Sequence, residues 1–262
     1  MNTRILTLLA AAVLLTGCTR PVAEEQPVVS QPTTQSATQP ATQPAGPVAA
    51  PAPQTFFLKM GDVDVSAVLP RPFDRASPMT KAEADLLLAI RAEATEAAKK
   101  RMEAEEKMTP FTFGEAMGER GEGFTPAKYP RTAALFKRID NDAYHVAISP
   151  AKETYNRLRP PLQDPRVKPL LKHSDSNGYP SGHATLGMVW SRVLGELAPG
   201  SKDALRDRAR LVALDRVIAG VHYPTDVCAG MALGDAIADA LLKNEKFKQE
   251  LEAVRKAEWA AP

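Results

Sequence analysis

Leu87, Ile90, Ala94, Ala97 and Ala98 recur at helical spacing, while Arg91, Glu96, Lys99 and Lys100 fall where they can face water. This pattern predicts a helix over about 80–106, opened by Thr80 and Glu83 at the spacing of a capping box. The same period, often with a proline or serine at the start, predicts helices over 130–139, 150–159, 181–197, 202–218 and 224–243. Runs alternating with the period of a strand are nearly absent. The expected fold class is all-α: a compact multi-helix domain with Pro- and Gly-rich loops between helices.

The N-terminus departs from this pattern. Residues 1–4 are short and positive and residues 5–15 almost wholly apolar, the arrangement of a signal peptide and too short for the roughly 20 residues of a membrane span. The run ends in Leu15-Thr16-Gly17-Cys18, which resembles a bacterial lipobox and implies acylation of Cys18. Thr19 stands where an aspartate is associated with inner-membrane retention, so the resemblance to sorted lipoproteins favours a periplasmic protein held at the outer membrane. Pro, Thr, Gln and Ala then repeat loosely to about Gln54, with little to bury, as in a disordered spacer. The expected organisation is a signal peptide over 1–17, an acylated cysteine and linker over 18–54, and one helical domain over 55–262.

Composition narrows the partners. Lys and Arg number 33 against 31 Asp and Glu, and they are interleaved rather than clustered, which argues against a nucleic-acid binder. With Cys18 acylated, Cys228 has no second cysteine in the chain to bridge to, and its Ala, Gly, Met and Leu neighbours predict a buried small thiol.

Candidate chemistry lies in three segments. Pro180-Ser181-Gly182-His183 precedes a long helix, whose first N–H groups and dipole favour an anion. In Gly220-Val221-His222-Tyr223-Pro224-Thr225-Asp226, Pro224 suits the first helical position. His222 then lies just outside the helix and Asp226 in its first turn, where it can orient one imidazole nitrogen and leave the other free. Lys152 and Arg159, seven apart, are expected to project from one helical face, and Arg216 adds a third cation. Singly, each has a structural explanation; together they describe a phosphate site.

Lys152 with Arg159-Pro160, then Pro180 to His183, then Arg216, His222 and Asp226 resemble the three-part signature of the phosphatidic acid phosphatase type 2 superfamily. The nearest likeness is to bacterial class A nonspecific acid phosphatases, over nearly all of residues 56–242. The resemblance implies a catalytic trio in which His222 attacks phosphorus, Asp226 orients it and His183 protonates the leaving group. Lys152, Arg159, Ser181, Gly182 and Arg216 would bind the phosphoryl oxygens. It implies small phosphomonoester substrates, phosphotransfer as a side activity, and neither cofactor nor metal. Asp215 departs from the family's serine before Arg216, which puts phosphate affinity in question. Vanadium-dependent haloperoxidases share such a site and form the alternative, with a lipid phosphatase or a noncatalytic envelope lipoprotein behind it. Loop 161–177 is expected to meet the organic part of the substrate, Tyr179 and Tyr223 either line its mouth or pack, and oligomerisation is left open.

Overall fold

A computed structural model describes residues 54–172 and 174–260, and all regular structure in them is helical. The expected signal peptide, acylated Cys18 and nearly all of the linker lie outside the described residues. The helices are α1 Val65–Val68, α2 Pro78–Ala92, α3 Glu96–Ala104, α4 Pro130–Ala143, α5 Ser149–Tyr155, α6 Pro160–Gln163, α7 Gly182–Leu197, α8 Lys202–Ile218, α9 Pro224–Lys243 and α10 Glu245–Val254. Two 3-10 segments, Pro110–Gly121 and Pro199–Ser201, and two π segments, Tyr144–Ile148 and Arg255–Trp259, complete them. The two 3-10 segments, α1, α6, α10 and both π segments are additions to the sequence reading.

Three expectations are corrected. The helix read over 80–106 is two helices, because Thr95 accepts from Ala98 N at 3.1 Å and starts α3 afresh. Its start is not a Thr80–Glu83 box: Ser77 caps α2 by accepting from Thr80 N at 3.1 Å, and Pro78 occupies the first turn. The helix read over 150–159 ends at Tyr155, where Asn156 turns left-handed (φ 43°, ψ 41°). Lys152 and Arg159 therefore do not share a helical face.

Upstream, helical backbone runs unbroken from Pro130 to Tyr155, through the π turn. Pro150 cannot donate to a carbonyl one turn back, and a widened turn just before it relieves the clash its ring would make.

The core centres on α7, which packs most extensively against α8 and α9. Trp190, Met188, Val193 and Leu194 of α7 are buried against Leu205, Val212, Leu233 and Ile237. Two glycines one turn apart set the closeness of α9. A Cβ at Gly230 would meet Ser181 O at 2.5 Å, and one at Gly234 would meet Thr185 O at 2.5 Å. The Ser181 N–H also donates to Asp226 O at 2.9 Å, so the start of α7 is fastened to the start of α9.

Candidate active site

The two helix starts face a cavity of about 540 Å³, lined by Lys152, Arg159, Gly182, His183, Arg216 and His222. Six of the eight residues named for catalysis and phosphate binding thus meet at one cavity, and the other two stand directly behind it. Asp226 is fully buried beneath His222, and Ser181 is fully buried with its hydroxyl accepting from Ala184 N as the cap of α7. Leu171, Lys172, Ser174 and Ser176 bring the 161–177 loop to the cavity. Tyr179 and Tyr223 do not line it. Tyr179 donates to Pro70 O at 2.6 Å, and the ring of Tyr223 lies under the Arg157 guanidinium at 4.3 Å.

His222 is 2% exposed, and its hydrogen bonds fix its tautomer. Arg159 Nη1 lies 2.9 Å from Nε2, and an arginine can only donate, so Nε2 holds a lone pair. Nδ1 then carries the proton towards Asp226 Oδ2, 3.4 Å away. Burial and the cations Arg159 and Lys152 hold the imidazole well below its ordinary value, so the ring is neutral.

Asp226 is itself held. Its Oδ2 accepts from Tyr223 N at 2.9 Å and its Oδ1 from Arg157 Nη1 at 2.8 Å. Burial pushes the carboxyl upward; Arg157 and the Tyr223 N–H oppose it. Arg157 also donates to Glu83 Oε2 at 2.6 Å, and Glu83 Oε1 accepts from Thr225 N and Oγ1 at 2.9 and 2.7 Å. This buried layer escaped sequence reasoning: Glu83 had the spacing of a cap, and only the Arg-Leu-Arg run hinted at Arg157.

The cations are spread round the cavity. Arg159 is anchored through Nε to Ser176 O at 2.8 Å and through Nη2 to the hydroxyls of Ser174 and Ser176. Lys152 Nζ donates to Asn177 O, and burial, aided by Arg159, pushes its ammonium down to about 7. Arg216 Nη2 donates to Glu105 Oε2 at 3.1 Å, and Glu105 also pairs with Arg208. The buried Nε of Arg216 finds no acceptor among the described residues, so this donor is available to an anion. His183 is pushed down to about 4, chiefly by burial and then by Arg216 and Arg159.

Asp215, the departure beside Arg216, is turned away from the cavity. It is fully buried and accepts from Arg101 Nε and Nη2 at 2.6 and 2.7 Å, bracing α8 against α3. Cys228 is half-buried, which corrects the expectation of full burial. Among the described residues no group of three or more His, Cys, Asp or Glu is placed to hold a metal ion.

Three cations, two histidines and a helix N-terminus round one cavity are the arrangement a tetrahedral oxyanion requires, here in an all-α domain. Residues 142–248 match the PAP2 superfamily model, and Lys152 through Asp226 all fall within the matched span. A non-specific acid phosphatase of Providencia stuartii is 30% identical over 147 residues, 55% of this chain and 58% of that one. An acid phosphatase of Zymomonas mobilis is 31% identical over 136 residues, 50% of this chain and 50% of that one. The chain spans only about half the length of these curated relatives. Among solved structures, a bacterial vanadium-dependent iodoperoxidase superposes with a TM-score of 0.48 at 20% identity, covering 68% of this chain and 54% of that one.

Proposed function

We propose that this protein is an acid phosphatase that hydrolyses phosphate monoesters through a phosphohistidine on His222, without a metal. The observation that carries the reading is the lone pair on His222 Nε2, oriented by Asp226 and flanked by Arg159 at a cavity that also holds Lys152, His183 and Arg216.

Arg159 Nη1 transfers its hydrogen bond from Nε2 to a phosphoryl oxygen as the substrate enters, Nε2 attacks phosphorus as the bond to the leaving oxygen breaks, and the positive charge on the ring is balanced by Asp226. His183 gives its proton to the departing alkoxide. A water then attacks the phosphohistidine and returns a proton to His183, which frees His222 and inorganic phosphate. An alcohol in place of that water gives phosphotransfer. Lys152, Arg159, Arg216 and the first N–H groups of α7 stabilise the equatorial oxygens, the charge-neutralising work that a metal does elsewhere. His183 gains its proton when an anionic substrate brings negative charge beside it.

The proposal extends to an exported, lipid-anchored protein, supported by the lipobox-like run at Leu15 to Cys18.

The test is hydrolysis of p-nitrophenyl phosphate by the purified protein from pH 4 to 8 with EDTA present, wild type against His222→Ala, with acid-labile, base-stable phosphate on the quenched protein as a second readout. Activity that EDTA abolishes, or that His222→Ala retains, overturns the mechanism.

A further inference from the structure

Beyond the phosphate-binding end, the cavity has a second half. Lys152, Ile148, Tyr144 and Asp140 all line it, at intervals of four along the unbroken helical run. In a regular α-helix each step of four drifts by about 40°. The wider π turn at Tyr144–Ile148 takes back part of that drift and keeps the stripe on one wall. The facing wall is α7, which presents His183, Leu186 and Trp190. The walls meet where Trp190 Nε1 donates to Asp140 Oδ1 at 2.6 Å. Seven residues of helix separate His183 from Trp190, about 10 Å along the axis. Asp140 Oδ2 has no hydrogen-bond partner among the described residues, and burial pushes the Asp140 carboxyl up to about 7. Besides Asp140 and the phosphate-site cations, Glu106 and Lys172 are the charged side chains lining the cavity, and Met108, Leu171 and Leu186 add apolar lining.

Resting on the phosphatase reading, we infer that Asp140 is a specificity-determining residue: Oδ2 accepts a hydrogen bond from an amino or hydroxyl group at the far end of an extended leaving group, about 10 Å from the phosphate-binding end. Trp190 holds the carboxylate by its other oxygen, so the acceptor is aimed before the substrate arrives. An apolar group of equal length leaves that acceptor desolvated and unpaired, which is the source of the discrimination.

The test uses the whole protein and two non-hydrolysable 5′-phosphonates, one of adenosine and one of purine riboside, which differ only in the 6-amino donor. Calorimetry at pH 8, where the Asp140 carboxyl is ionised, is expected to show the wild type binding the amino compound about tenfold more tightly, the worth of one hydrogen bond to a charged acceptor. Asp140→Ala removes the difference. Asp140→Asn, which keeps the size and can keep the Trp190 contact, presents an amide donor and shifts preference towards the 6-keto phosphonate of inosine. A wild type that binds both alike, or a preference that survives in Asp140→Ala, overturns the inference. Turnover of p-nitrophenyl phosphate by the wild-type samples reports separately on the phosphatase reading, so failure of one is not mistaken for failure of the other.

Discussion

Arg157 Nη1 sits 2.8 Å from Asp226 Oδ1, and the same guanidinium reaches Glu83 through Nη2 at 2.6 Å, so one buried cation neutralises two carboxylates directly beneath His222. All three side chains are less than 9% exposed. Removing Arg157 leaves two buried charges without their cation, and Arg157→Ala is expected to cost about 3–5 kcal/mol of folding stability at pH 7. Urea unfolding measures it; a loss below 1 kcal/mol would show that the layer is not held as described.

The Lys152 ammonium, pushed down to about 7, is charged below that pH and loses its proton above it. Phosphate binding should therefore weaken as pH rises through 7 in the unliganded protein. Lys152→Arg keeps the charge at all these pH values and should move the alkaline fall in kcat/KM upward, even if the bulkier group lowers the plateau. An unmoved alkaline limb in Lys152→Arg would assign that limb to another group.

His183 stands at about 4, held down chiefly by burial and then by Arg216 and Arg159. An anion in the cavity reverses the sign of its nearest charge, so its pKa should rise by a unit or more on saturation with phosphate. Nitrogen-15 NMR of the imidazole, titrated with and without phosphate, measures the shift directly. A downward or absent shift would remove His183 as the proton donor.

Asp215→Ser restores the residue of the family signature and takes away both acceptors of Arg101. Because Asp215 faces α3 and not the cavity, the expected result is a stability loss of about 1–3 kcal/mol, with KM for p-nitrophenyl phosphate changed less than about twofold. Arg101 is 32% exposed, so water recovers part of the lost pairing. A KM change of tenfold would place Asp215 in the phosphate site after all.

Gly230→Ala pushes a Cβ to 2.5 Å from Ser181 O, at the point where α9 meets the start of α7. Overpacking there is expected to cost about 1–3 kcal/mol and to lower kcat by displacing His183 relative to His222. Thermal unfolding and steady-state kinetics on one sample separate the two effects. Normal stability with normal kcat would mean that the helices part without consequence.

The sequence by itself determined what is local. The period of apolar residues marked α4, α7, α8 and α9. Pro224 placed His222 outside α9 and Asp226 in its first turn, and Pro-Ser-Gly-His marked the start of α7, because capping and first-turn chemistry operate within about one turn of helix. The tertiary structure decided which distant groups meet. Glu83 lies 74 positions from Arg157, Glu105 lies 111 from Arg216, Arg101 lies 114 from Asp215 and Asp140 lies 50 from Trp190. Such pairs leave no periodic trace, and Glu83 even imitated a local signal. Lys152 and Arg159 reach one cavity not along a shared helical face but round the left-handed turn at Asn156, a geometry that only the packed chain selects.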